Sequence, residues 1–310
     1  MNAELRNTIK CTIDRFVSPN AKILSINNHD LAYGTSAVEL KKHEILLRSD
    51  THDRTINLIS KKASLIERCT LNYLYDQSVN VPFSFTLDMT SNNREYLCMQ
   101  DVDYETDYNN LDIELLQRDE QYALADIHAV NFKNYYKFKW LPILDSRYIE
   151  SVLNEKWRPS WNKAKLDLDF ISDFGDLISE IDKVAEYIVR DIDEVLRDED
   201  SHTLVHNDLH PGNTLVHKNR EVYFIDWEEA HYGSLYFDVA LRYREFSQAE
   251  NYRILINSRG LNLSEDKFKL NYTITSRYLG LRYMSWFLST WKDDKRWLDE
   301  LNKYINMTLS

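Results

Sequence analysis

Leu5, Ile9, Ile13 and Phe16 recur at three- and four-residue spacing, and this predicts a helix from Ala3 to Phe16. Three runs rich in apolar and β-branched residues follow, Ala21 to Ile26, Ser36 to Leu47 and Thr55 to Lys61, and read as strands. Leu65 to Gln77 returns to helical spacing, and two further strand-like runs cover Val81 to Leu87 and Tyr96 to Val102. Beyond that point the pattern is almost wholly helical. Glu114 to Phe132 is amphipathic, and from Leu177 the residues Ile178, Ile181, Val184, Ala185, Ile188, Val189, Ile192, Val195 and Leu196 mark one buried stripe on a long helix. Tyr236 to Phe246, Asn251 to Asn257, Glu265 to Leu288 and Trp291 to Thr308 read as further helices. The exception is a predicted hairpin, Thr214 to His217 and Glu221 to Ile225, around the polar turn Lys218-Asn219-Arg220.

This order predicts an α+β protein divided near residue 102, with a small antiparallel-sheet domain at 1–102 and a larger, mostly helical domain at 103–310. A chain of 310 residues exceeds the usual size of one core, so two lobes with a cleft between them are expected. The formal net charge of −12 argues against non-specific nucleic-acid binding; an acidic surface attracts cationic ligands and equally serves solubility. Cys11, Cys69 and Cys98 have no metal-ligand spacing and read as reduced core thiols. Glu4, Arg6 and Lys10 interrupt the first apolar positions, unlike a secretory signal, and no window has the length of a membrane span. A cytoplasmic protein with no membrane partner is the expectation.

The chemistry concentrates in Leu-Val-His-Asn-Asp-Leu-His-Pro-Gly-Asn-Thr-Leu-Val, Leu204 to Val216, and in Phe-Ile-Asp-Trp-Glu-Glu-Ala, Phe224 to Ala230. Phosphoryl transfer passes through a loose transition state, so an enzyme mainly positions the acceptor and neutralises phosphate charge through bound metal. Asp208 is placed to take a proton from an acceptor hydroxyl. Asn213 and Asp226, at the entrance and exit of the predicted hairpin, offer the oxygen ligands that a magnesium ion prefers. Pro211 and Gly212 sit where the chain must turn between base and ligand.

His206, Asp208 and Asn213 spell H-x-D-x-x-x-x-N; with Ile225-Asp226-Trp227 and Asp238 before Val239-Ala240, the chain resembles the aminoglycoside phosphotransferase and choline kinase superfamily. The resemblance implies a bilobal protein-kinase-like fold and a metal-dependent kinase using ATP, or GTP, with Mg2+. It implies that Asp208 is the catalytic base, that Asn213 and Asp226 bind magnesium, that Asp238 braces the catalytic loop and that His206 orients it. It points to Lys61, with Lys62 as the alternative, as the phosphate-binding lysine, and to Glu67 as its partner. A nucleotide flap is expected at Leu31 to Ala37, with amides around Gly34, Thr35 and Ser36 touching phosphate, and an adenine-binding hinge through the main chain of Met99, Gln100 and Val102. His128, in Leu124-Ala125-Asp126-Ile127-His128, reads as a bracing residue. Asn207 before the base and Trp227-Glu228 after Asp226 depart from the protein-kinase pattern and point to the small-molecule branch.

The acceptor is expected to be a small, cationic molecule with a hydroxyl group. Glu228 and Glu229 follow the metal ligand directly, and Tyr283, Trp286, Trp291 and Trp297, near Asp293, Asp294, Asp299 and Glu300, are candidates for an aromatic and acidic pocket around an ammonium group. A protein kinase is disfavoured by the short interval from Asp226 to Asp238. A non-catalytic nucleotide-binding protein of the same fold is disfavoured by the intact Asp208, Asn213 and Asp226.

Overall fold

Asn2 accepts the Leu5 amide through its side chain at 2.8 Å and so starts helix α1, Ala3–Phe16. The buried stripe of α1, Leu5, Ile9 and Ile13, packs on Ile45, Leu47, Leu58, Tyr96 and Cys98 of a five-stranded antiparallel sheet. Its strands are β1 (Lys22–Asp30), β2 (Val38–Arg48), β3 (Asp53–Ala63), β4 (Ser84–Thr86) and β5 (Glu95–Gln100), in the spatial order β1-β2-β3-β5-β4. Each fully buried Leu or Ile in this layer contributes about 1.5–3 kcal/mol of apolar transfer energy. Helix α2, Leu65–Asp76, is capped by Ser64, whose hydroxyl accepts the Glu67 amide at 3.3 Å.

The computed structural model describes residues 2–31, 38–48, 52–105, 112–217 and 221–310. The chain forms two compact units, Met1–Ala123 with Pro211–Ala230, and Leu124–His210 with His231–Ser310. The first unit thus continues past residue 102 and takes in the hairpin of β7 (Thr214–Val216) and β8 (Val222–Phe224).

The second unit is mostly helical. Helix α3, Ile113–Asn131, leads into it, followed by α4 (Ser146–Val152), a π-helical turn, α5 (Arg158–Ala164) and the long α6 (Leu168–Leu196). Strands β6 (His202–Val205) and β9 (His231–Ser234) pair antiparallel beside them. Helices α7 (Tyr236–Arg242), α8 (Phe246–Ser258), α9 (Glu265–Phe287) and α10 (Lys295–Leu309) complete the unit. Gly280 lets α10 lie close on α9, because a Cβ there would sit 2.4 Å from Thr308 Oγ1 and 2.7 Å from the Tyr304 carbonyl. No helix among the described residues is long and apolar enough to cross a membrane.

Several elements differ from the sequence expectation for identifiable reasons. The run Val81 to Leu87 keeps only three paired residues, since Pro82 has no amide to donate and the Val81 amide turns back to the Val79 carbonyl at 2.8 Å. The long helix starts at Leu168 rather than Leu177, because the Asp167 carboxylate caps it through the Asp169 and Phe170 amides. Phe170 and Phe174 extend its buried stripe.

His43 lies fully buried on the α1 side of the sheet, with Nδ1 2.7 Å from Asn28 Oδ1 and Nε2 2.8 Å from Ser60 Oγ. This suits a neutral ring that donates from Nδ1 and accepts from the serine hydroxyl. Burial, helped by Lys41, pushes its pKa down from 6.5 to about 4. An unfolded chain therefore binds the extra proton first as pH falls, so the stability linked to His43 is complete above pH 6.5 and is lost towards pH 4, up to about 3 kcal/mol. Urea unfolding of wild type and His43→Gln at pH 7.5 and pH 4.5 is expected to show a smaller pH effect in the variant. Equal pH dependence in the two proteins would contradict this assignment.

Candidate active site

Alternation along β3 decides which lysine meets which partners. Lys62 is opposite Tyr96 in the β3–β5 ladder, lies 5.2 Å from that ring and pairs with Glu39 at 3.0 Å. Lys61, on the other face, brings its ammonium 2.7 Å from Glu67 Oε1 and 2.7 Å from Asp226 Oδ1. Three segments of the first unit therefore meet at one cation: strand β3, the first turn of α2 and the end of the β7–β8 hairpin.

Two of the three charges are nearly enclosed, with Glu67 1% exposed and the Lys61 side chain 12%, while the Asp226 side chain is 37% exposed. Burial opposes the Lys61 charge, but the carboxylates of Glu67 and Asp226 outweigh it and raise the lysine pKa. Burial pushes the Glu67 carboxyl up to about 7; Lys61 pulls it down, while Asp226 and Glu228 push it further up. Glu228 belongs to the same cluster, in which ligand oxygens of Glu67, Asp226 and Glu228 all lie within 4.8 Å of one another. Lys61 answers the first two, and Arg94 forks onto the Glu228 carboxylate.

The hairpin fixes Asn213 and Asp226 at matching ends. Thr214 pairs with Phe224, and the Ile225 amide donates to the Asn213 carbonyl at 3.0 Å. Asp226 follows directly in a left-handed conformation, φ 64° and ψ 57°, which short polar side chains tolerate. Trp227 anchors the turn beyond it, buried and donating from Nε1 to the Phe224 carbonyl at 3.1 Å. The carboxylate of Asp226 and the side-chain carbonyl of Asn213 are hard oxygen donors of the kind magnesium prefers.

In the second unit the loop after β6 is held from below by a fully buried carboxylate. Asp238, in the first turn of α7, accepts the His206 amide through Oδ2 and the Asn207 amide through Oδ1, both at 2.8 Å. His128 Nε2 lies 3.2 Å from Asp238 Oδ2, and its Nδ1 lies 2.5 Å from the Tyr252 hydroxyl. Asn207 takes a positive φ of 63°. Its side-chain amide reaches the Tyr148 hydroxyl at 3.3 Å, while Arg282 donates to its carbonyl at 3.2 Å and its Oδ1 at 3.1 Å. Asp208, next in the chain, accepts the Tyr283 hydroxyl at 2.5 Å and has His210 Nε2 3.9 Å from its other oxygen.

The remaining expected residues are distributed as follows. Gly34, Thr35 and Ser36 lie outside the described residues. Met99 is paired on both sides inside the sheet, and the Gln100 amide already donates to the Phe83 carbonyl at 2.9 Å, so these two do not present a loose edge to a base. Val102 follows the strand, buried, with its carbonyl accepting from Tyr104. Trp291 is no open aromatic wall: it is packed edge-on against Phe170 and Phe174 and is 7% exposed. Trp286 is exposed and Glu229 is half-buried. Arg94, Arg282 and Tyr283 make contacts that motif spacing did not anticipate, because they come from elements remote in the chain from the residues they touch.

The Lys61 cluster makes a clear energetic demand. Removing one member of a buried ion pair costs about 3–5 kcal/mol, whereas removing both partners together costs far less. Lys61→Met is therefore expected to lower unfolding stability by about 3 kcal/mol, and Lys61→Met with Glu67→Met to recover a large part of that loss. Chemical denaturation measures both; a double variant no more stable than Lys61→Met would contradict the assigned pairing.

The family model for the phosphotransferase enzyme family matches residues 60–256, which include the end of β3, α2, the loop carrying Asp208 and the hairpin. The Protein LicA homolog of Mycoplasma capricolum subsp. capricolum is 43% identical over 60 residues, a stretch that makes up 19% of this chain and 23% of that protein. The chain thus matches less than a quarter of that relative's length. An aminoglycoside phosphotransferase structure from Alicyclobacillus acidocaldarius is similar at TM-score 0.59 and 16% identity, covering 92% of this chain and 89% of the other. A choline kinase from Cryptosporidium parvum is similar at TM-score 0.57 and 12% identity, covering 98% and 94%. At these identities the two structures speak for a shared kinase-like α+β fold. The family match extends over more than half of the sequence and contains the Lys61, Asp208, Asn213 and Asp226 positions, and on that ground this chain belongs to the phosphotransferase enzyme family.

Proposed function

We propose that this phosphotransferase moves the γ-phosphoryl group of ATP to a hydroxyl of a small cationic molecule, an amino alcohol or an aminosugar. The observation that carries the reading is the convergence of Lys61, Glu67 and Asp226 on one ion pair, across 165 residues of sequence between lysine and aspartate. An ammonium held in this way is a fixed positive charge for phosphate oxygens, and Glu67 keeps it in place when Asp226 engages elsewhere. Asn213 and Asp226 are the residues that would hold magnesium. When bound, the ion neutralises charge on the phosphates.

Asp208 then acts on the acceptor. Its carboxylate accepts a hydrogen bond from the hydroxyl and takes the proton as the acceptor oxygen bonds to the γ-phosphorus; the bond from that phosphorus to the bridging oxygen breaks, and ADP leaves. Asp238 supports this role by accepting the successive backbone amides of His206 and Asn207, which fixes where Asp208 projects.

A small acceptor fits the chain between Asp226 and Asp238, where the turn Trp227–Glu229 and strand β9 occupy the interval that a peptide-docking segment would need. The net charge of −12 favours a cationic acceptor, and the names of the similar proteins include a choline kinase and an aminoglycoside phosphotransferase. Of the candidates for contacting the ammonium group, Trp286 is exposed, whereas Glu228 is held by Arg94 and Trp291 is enclosed by Phe170 and Phe174.

The test is a panel of choline, ethanolamine, glucosamine and spectinomycin, assayed for acceptor-dependent ADP release with ATP and magnesium. At least one acceptor is expected to stimulate release, and Asp208→Asn to lower that rate by about 10²–10⁴-fold while retaining nucleotide binding. Asp226→Ala is expected to remove the magnesium dependence of nucleotide affinity. Undiminished turnover in Asp208→Asn would refute the base, and unchanged metal dependence in Asp226→Ala would refute the ligand.

A further inference from the structure

Two consecutive residues of α9 hold two consecutive residues of the loop after β6. Arg282 donates to the carbonyl and side chain of Asn207, and Tyr283 donates its hydroxyl to Oδ1 of Asp208 at 2.5 Å. The phenol is itself immobilised. Its ring stacks on Tyr304 at 5.6 Å and 19°, Tyr304 stacks on Phe287 at 5.6 Å and 14°, and the Arg282 guanidinium lies 5.2 Å from the Tyr283 ring centroid. Tyr304 comes from α10, which approaches α9 closely where Gly280 leaves room for it. Tyr283 is 8% exposed, and burial together with the Asp208 charge, against the pull of Arg282, raises its pKa well above that of an ordinary phenol. The group is therefore a protonated, fixed donor.

A carboxylate that must take a proton has two oxygens and a rotatable bond to its backbone. Rotation out of line removes the accepting oxygen from hydrogen-bond reach of the acceptor, and small misplacements of this kind cost about a hundredfold in rate. A fixed donor on one oxygen sets the plane of the carboxylate and thereby the direction of the other. We infer that Tyr283 is a positioning residue for Asp208, holding its carboxylate through Oδ1 so that Oδ2 faces the acceptor hydroxyl. This rests on the reading of Asp208 as the base.

The experiment is a double-mutant cycle on the full-length protein with Tyr283→Phe, Asp208→Asn and the combined variant. Phenylalanine keeps the ring stack with Tyr304 and removes only the hydroxyl. Rates are measured with ATP, magnesium and whichever of choline, ethanolamine, glucosamine or spectinomycin gives the most ADP. Tyr283→Phe is expected to lower kcat about tenfold to a hundredfold, with KM for ATP and for acceptor within about twofold and an unchanged melting temperature. In the Asp208→Asn background the same change is expected to have no further effect, because the group it orients is gone.

A rise in acceptor KM with constant kcat would overturn the inference and make Tyr283 an acceptor contact. Equal losses in both backgrounds would overturn it as well. Full activity in Asp208→Asn would instead remove the base reading beneath it, which separates the two failures. Crystal structures of wild type and Tyr283→Phe give an answer that needs no acceptor: the Asp208 carboxylate is expected to hold one rotamer in the first and to spread over several in the second, and a single unchanged rotamer in both would contradict the inference.

Discussion

The ammonium of Lys61 between the carboxylates of Glu67 and Asp226 is the contact on which the arrangement of the first unit's candidate site depends. Burying one lysine and one glutamate away from water is costly, and the arrangement is stable only because each charge finds its opposite at 2.7 Å. That requirement fixes three things together: the face of β3 from which Lys61 projects, the register of the first turn of α2, and the end of the β7–β8 hairpin. Ser64 contributes by starting α2 in the position where Glu67 can reach back to the strand. Arg94 completes the balance by taking Glu228, the third carboxylate of the cluster.

The second unit solves an analogous problem with the opposite polarity. There a buried carboxylate, Asp238, is satisfied by two backbone amides and the His128 ring rather than by a lysine. Charge-assisted bonds of this kind are among the stronger ones a protein makes, and they hold Asn207 in a left-handed conformation that would otherwise be unfavourable. The carboxylate of Asp208, the proposed base, follows immediately. Its side chain is placed by the backbone beneath it and by α9 beside it.

Much of this is legible in the amino-acid sequence. Helical spacing locates α1, α2 and α3 within a few residues, because each buries one stripe and has polar residues elsewhere. The motif puts His206, Asp208, Asn213 and Asp226 on a loop and a hairpin, and within the expected runs Thr214–Val216 pairs with Val222–Phe224. Parity along β3 was what the sequence left open, since Lys61 and Lys62 are adjacent and only the position of Tyr96 opposite Lys62 assigns the faces. Strands β6 and β9 escaped notice because their stability comes from a partner far along the chain, and His231-Tyr232-Gly233-Ser234 has little strand character of its own. Trp291 misled for a related reason: an aromatic residue near acidic ones reads as a binding wall until Phe170 and Phe174, more than a hundred residues earlier, are seen to enclose it. Arg282 and Tyr283 carry no motif, and their role emerges only from where α9 brings them.

The account stands or falls on where the phosphoryl group goes. Following ATP, magnesium and the most active acceptor of the panel by 31P NMR identifies the product directly. The account predicts a phosphate monoester whose phosphorus couples to protons on the carbon bearing the acceptor oxygen, growing in step with ADP. Release of ADP with inorganic phosphate alone, or phosphorus bonded to the acceptor nitrogen, would contradict it.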